Sequence, residues 1–177
     1  MDEIEVRELT PEDETGVALL FAACEDYFVA ATGAPALAAD VQSLYYALPE
    51  GADVDQKRLL VLCRGEEIVG LVDVVDRHPD TGSCSVGLFL VAPDVRRAGV
   101  GTGVARRLIE EAAGRGMRTV TATCPSGWEP GLGFLRGLGF EVGVPKEMTG
   151  DTIGNRTRYP AETGLHTARL LTTPADR

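Results

Sequence analysis

The sequence predicts a mixed α/β (α+β) fold: one sheet, mostly antiparallel, with helices on both faces. Three observations carry this prediction. Residues 84–113 read as a strand, a glycine-rich turn and a helix in direct succession. Residues 58–64 and 68–75 are apolar runs rich in branched side chains, joined only by Gly65-Glu66-Glu67, which is the pattern of an antiparallel hairpin. Strand and helix periodicities then alternate along the chain in the order β-α-α-β-β-β-α-β-α-β-β, with no internal repeat and no low-complexity break. One domain over residues 1–177 is therefore expected.

Taken in order, residues 4–9 alternate apolar and charged side chains, as a half-buried first strand does. Thr10-Pro11-Glu12-Asp13 then gives an N-cap, a proline suited to the first helical position, and acidic residues near the positive end of the dipole. The helix that starts there carries Val17, Phe21, Cys24 and Phe28 as its buried stripe and runs unbroken to Gly33-Ala34-Pro35. A second helix is expected over residues 36–47, then the hairpin, then a surface loop around His78-Pro79-Asp80. Residues 85–92 are the central strand, 100–113 a helix with Val104, Leu108, Ile109 and Ala112 on one face, and 119–124 a further strand. A short helix ends at Leu138, and residues 140–144 and 167–172 form a last hairpin around a long polar loop, 146–164.

Composition excludes several roles. With 44% hydrophobic and 25% charged residues the chain can bury a sizeable core. A formal net charge of −10 argues against nucleic acid or an anionic membrane surface as partner, because an acidic protein is repelled by both. A cationic acceptor such as an amine is attracted. Met1 is followed by Asp-Glu-Ile-Glu-Val, with neither a basic start nor an apolar core of a signal peptide, and no apolar run reaches membrane-spanning length. A cytoplasmic protein is expected. Cys24, Cys63, Cys84 and Cys124 lie singly, without CxxC spacing, so free buried thiols are expected and no metal site.

The turn between the central strand and its helix, Arg96-Arg97-Ala98-Gly99-Val100-Gly101-Thr102-Gly103, has the makings of an anion site. Free N–H groups at a helix start, the helix dipole and side-chain-free glycines all favour phosphate, and two arginines add full charges. A P-loop would need Gly-Lys-Ser/Thr after the glycines, where this chain has Thr102-Gly103-Val104. A dinucleotide fingerprint would need Gly-x-Gly-x-x-Gly, and the spacing of Gly99, Gly101 and Gly103 does not supply it.

Arg96, Gly99 and Gly101 fill Arg/Gln-x-x-Gly-x-Gly/Ala directly after a strand that ends in Val-x-Pro. This resembles the coenzyme A signature of the GNAT superfamily of N-acyltransferases. Downstream, Phe134-Leu135-Arg136-Gly137-Leu138-Gly139-Phe140 resembles that family's C-terminal motif, a short helix ending in Leu-Gly-Phe. The resemblance covers roughly residues 3–144, with specific matches at 86–103 and 134–140. It implies a GNAT-like sheet, acetyl-CoA as acyl donor, a small-molecule or peptide amine as acceptor, and a homodimer.

The same resemblance assigns the coenzyme to Leu90 and Val91 through their backbone groups, and to Arg96, Arg97, Ala98, Gly99, Val100, Gly101 and Thr102 as the pyrophosphate cradle. Tyr27 and Trp128 correspond to walls of the acceptor cleft. Where many relatives place a tyrosine as general acid this chain has Leu135, and the position aligned with a common asparagine is Trp128. The central strand offers no carboxylate. Asp73, which interrupts an apolar strand beside it, is the candidate base; His78, His166 and the late-loop Tyr159 are the other titratable candidates. Two functions fit these residues: an N-acetyltransferase, or a coenzyme-binding sensor without transfer activity.

Overall fold

In a computed structural model of the chain, residues 3–146 and 164–173 are described. Most of the polar 146–164 loop, Tyr159 included, lies outside them.

The first strand, β1 (Ile4–Glu8), is followed by a 3-10 turn at Pro11–Asp13 and then α1 (Glu14–Ala23), α2 (Glu25–Thr32) and α3 (Ala38–Tyr46). The Thr10 N–H donates to Asp13 Oδ2 at 2.8 Å, and Arg7 on β1 holds the same carboxylate with two bonds of 2.7 and 2.8 Å. Residues 11–32 do not form the single helix that their periodicity suggests. The axis turns by 73° at Cys24, whose φ of −94° and ψ of 32° leave the helical region. The bend directs α2 toward the end of the central strand, where the Cys24 thiol meets the Val91 carbonyl. Periodicity cannot see this, because Val17, Leu20, Phe21, Tyr27 and Phe28 are buried on both sides of the break.

The strands β2 (Lys57–Arg64), β3 (Glu67–Asp76), β4 (Ser83–Val91), β5 (Thr119–Pro125), β6 (Glu141–Val142) and β7 (Leu165–Leu171) complete a seven-stranded sheet in the order β1-β2-β3-β4-β5-β7-β6. Among the described strands only β4 and β5 run parallel. The connection between them is α4 (Val100–Gly114), and α5 (Glu129–Gly137) follows β5. A core of branched side chains from β2, β3 and β4 lies between α1–α3 on one face and α4–α5 on the other. All four cysteines are buried and unbridged.

Two irregularities of β4 shape the molecule. Its register with β3 slips between Asp73↔Leu88 and Val74↔Val86, so Gly87 is an extra, exposed residue. Its pairing with β5 stops at the same place, for only residues 83–86 face 119–122, after which β5 continues alone with β7. The sheet splits open beyond Gly87.

Candidate functional site

The split leaves one edge of β4 without a neighbouring strand. Ala92 donates its N–H to the Val69 carbonyl of β3 at 2.8 Å, and antiparallel alternation then turns the main-chain groups of Leu90 and Leu88 toward β3. Phe89 and Val91 therefore turn theirs to the open edge. Leu90 lines the groove at this edge, but not through its main-chain oxygen: a Cβ added to Gly70 would lie 2.9 Å from that oxygen, which shows it facing β3. Phe89 is the residue the sequence reading missed. Strand alternation was its signal, but which of two successive residues faces the open edge depends on the register, and a bulge resets it.

The open edge faces the start of α4. Gly99, at φ 81°, is the residue before the helix, and Arg97 also has a positive φ, 62°. Gly103 donates the first helical bond, to the Gly99 carbonyl at 2.9 Å. The N–H groups of Val100, Gly101 and Thr102 consequently have no intrahelical acceptor. Between these donors, β4 and the first turn of α5 lies a solvent-open groove, lined by Val91, Arg96, Arg97, Gly101, Thr102 and Phe134 among others. Ala98 and Val100, which the sequence placed in the cradle, do not line it. The rings of Phe89 and Phe134, 5.2 Å apart, form its floor, and a Cβ on Gly101 would stand 3.5–3.7 Å from Phe134, Val91 and Phe89. Absence of a side chain at Gly101 keeps that space open against the main chain.

Arg96 lines this groove, but its guanidinium is engaged elsewhere. Nη1 and Nη2 donate to the two oxygens of Asp26 at 2.6 and 3.2 Å, and Nε donates to the Val91 carbonyl at 2.7 Å. The same pairing holds the Asp26 carboxyl below the usual carboxylate range. Burial pushes the Cys24 thiol up to about 11, opposed in part by Arg96, so it stays protonated and faces the same carbonyl at 3.6 Å. Arg97, in contrast, has no ion pair among the described residues and borders the groove.

Tyr27 and Trp128 do converge, edge to face with centroids 5.7 Å apart, and the Arg96 guanidinium carbon lies 5.4 Å from the Trp128 ring. They meet although one is on α2 and the other precedes α5. Asp73 is placed differently from a free base. Lys57 Nζ sits 2.8 Å from each of its oxygens and also donates to the Ala47 carbonyl at 2.8 Å. Both side chains are buried, at 4% and 7% exposure, although Asp73 Oδ2 lies only 3.7 Å from where a Cβ on the exposed Gly87 would stand. Leu135 is buried at 8% and offers no proton. His78 joins the loop before β4 through a cis bond to Pro79, and His166 Nδ1 contacts the Gly143 carbonyl at 2.7 Å; neither lines the groove.

A family model for the Acetyltransferase (GNAT) family matches residues 18–140. The chain belongs to this family. Solved structures carry the same fold. An acetyltransferase assigned to the GNAT family from Desulfovibrio desulfuricans aligns with a TM-score of 0.70 at 15% identity, covering 97% of this chain and 100% of that one. An acetyltransferase from Thermus thermophilus gives 0.65 at 20% identity, with coverage of 94% and 97%. The ribosomal-protein-S18-alanine N-acetyltransferase from Escherichia coli gives 0.62 at 16% identity, with coverage of 99% and 97%. No curated protein matches the chain by sequence. In this GNAT acetyltransferase the split between β4 and β5, the glycine turn and the Leu-Gly-Phe helix end all border one groove.

Proposed function

We propose that this GNAT protein transfers an acetyl group from acetyl-CoA to a primary amine. The observation that carries the reading is the open edge of β4 set against the unpaired N–H groups of the glycine turn. A pyrophosphate fits the turn: Val100, Gly101 and Thr102 supply main-chain donors, the α4 dipole adds partial positive charge, and Arg97 is a cation at the rim. An amide-bearing arm fits the β4 edge, where Phe89 and the Val91 N–H offer hydrogen bonds that a neighbouring strand would otherwise take, the Val91 carbonyl being held by Arg96.

Bound acetyl-CoA supplies the activated acyl group as a thioester. The chain's own residues then meet the remaining demands. The Val91 N–H points into the split and can stabilise negative charge developing on an acyl oxygen. Tyr27 and Trp128 exclude water from one wall, which favours the neutral form of an amine whose solution pKa is about 10. Among the described residues no side chain replaces the missing tyrosine at Leu135, so in this reading the C–S bond breaks to a thiolate without a dedicated acid and the proton lost by the amine passes to solvent water. A thiol pKa of about 8.5 makes that tolerable.

A second reading, a coenzyme-binding sensor without transfer, is favoured by the buried Leu135 and by the lysine-bound Asp73. The deciding experiment pairs a thermal-shift titration with acetyl-CoA against free-thiol release over a panel of amines. Ligand at about 100 times its Kd raises stability by about 2.7 kcal/mol, so a shift is expected. A shift with amine-dependent thiol release supports the transferase, and a shift without release supports the sensor. No shift with folded protein removes both.

A further inference from the structure

We propose that Arg96 is a positioning residue that fixes the opening of the split sheet, and that its side chain does not serve as a phosphate ligand. The inference rests on the coenzyme reading above. Arg96 touches three separate walls of the groove. Its two terminal nitrogens hold Asp26 on α2, its Nε holds the last carbonyl of β4, and its flat face lies near the indole that begins α5. A planar fork can satisfy these directions together only in one orientation. Turning it toward a pyrophosphate would break at least one of them.

The far side of the arrangement is equally fixed. Asp26 Oδ1 also accepts the Tyr27 N–H at 2.9 Å, and the Tyr27 ring packs edge-on against Trp128. Asp26, Arg96, Trp128 and Tyr27 thus close a ring that joins the bent helix pair to both lips of the split. The ion pair neutralises the Arg96 charge, which leaves Arg97 as the turn's cation toward an anion. Arg96 and the Cys24 thiol both occupy the Val91 carbonyl, which leaves the Val91 N–H as that residue's group turned to the groove.

The test uses the full chain with Arg96→Gln, Arg96→Lys and Asp26→Ala, together with the Asp26→Ala/Arg96→Gln double variant. Two ligands are titrated: acetyl-CoA, and ADP, which carries the pyrophosphate without the thioester arm. Trp128, the single tryptophan, reports by its emission. Each single variant is expected to weaken acetyl-CoA about tenfold, with the double variant no worse than either. Lysine should fail to rescue because it keeps the charge and loses the fork. ADP affinity should stay unchanged, and the emission of ligand-free Trp128 should shift in every variant.

The opposite pattern overturns the proposal. Rescue by lysine, loss of ADP binding in Arg96→Gln, and full acetyl-CoA affinity in Asp26→Ala would together assign Arg96 to the phosphates. If Arg96→Gln fails to fold, Asp26→Ala and Arg96→Lys still separate the two outcomes. A wild-type chain that binds neither ligand removes the coenzyme reading itself, and this inference with it.

Discussion

From residue 84 to 86 strand β4 is paired on both sides, with β3 and with β5; from 88 to 91 it keeps β3 and loses β5. Side-chain character does not explain the difference, since Cys84 and Val86 in the first half and Leu88 and Leu90 in the second are alike in being apolar. The bulge at Gly87 divides them. In the closed half the strand is paired on both sides, whereas in the open half the groups of Phe89 and Val91 are held apart from any strand. The comparison teaches that stability and ligand binding are carried by different halves of one strand, so substitutions can separate them.

The largest effect is expected at the junction. Lys57→Met leaves the Asp73 carboxylate buried beside Gly87 without its lysine, and should cost about 3–5 kcal/mol in urea denaturation. Adding Asp73→Leu should recover most of that loss, because an apolar pair of similar volume needs no compensation for desolvated charge. A single variant of wild-type stability would show that the junction does not depend on the pair.

Next comes the open half. Gly101→Asp places a carboxylate among the α4 donors and a Cβ over the groove floor, and calorimetric titration should show acetyl-CoA affinity falling about 100-fold. The melting temperature should hold or rise, since an acid in the first turn of a helix complements the dipole. Parallel losses of binding and stability would break the comparison.

Leu135→Tyr tests whether the family's missing acid can be restored. The site is buried at 8%, so overpacking by about 1–3 kcal/mol is expected, with no gain in kcat. A higher kcat would place that hydroxyl within reach of the leaving group.

The smallest effect lies far from both halves. Arg7 holds the Asp13 carboxyl below the usual carboxylate range, chiefly through their hydrogen bonds. A depressed folded-state pKa contributes stability above the unfolded value of about 3.9, which is lost as pH falls through the folded one. Acid titration of the urea midpoint should therefore show an extra decline below about pH 4 that Asp13→Asn lacks.

Much of the fold is written locally. The hairpin β2–β3, the strand-turn-helix of β4 and α4, and the helix end at Gly139 each declare themselves within a few residues. Hydrophobic period, glycine at positive φ and capping chemistry all act at short range, as the φ of 94° at Gly139 illustrates. The glycine turn likewise announces an anion site by the residue types of eight consecutive positions, 96–103.

Other features needed the chain to close. Arg96 finds Asp26 across 70 positions, and Lys57 finds Asp73 across 16, separations at which sequence carries no spacing rule. Cys24 looks like one more apolar position on a helical stripe, yet it is where the helix bends. Leu90 and Phe89 are interchangeable in a strand read by composition, and only the bulge decides which offers its amide to the groove. The sequence by itself determined the elements, the family motifs and the phosphate-friendly turn, because those follow from interactions between near neighbours. Tertiary structure alone decided the register, the split and the partners of the charged groups, because each depends on which distant surfaces are buried together.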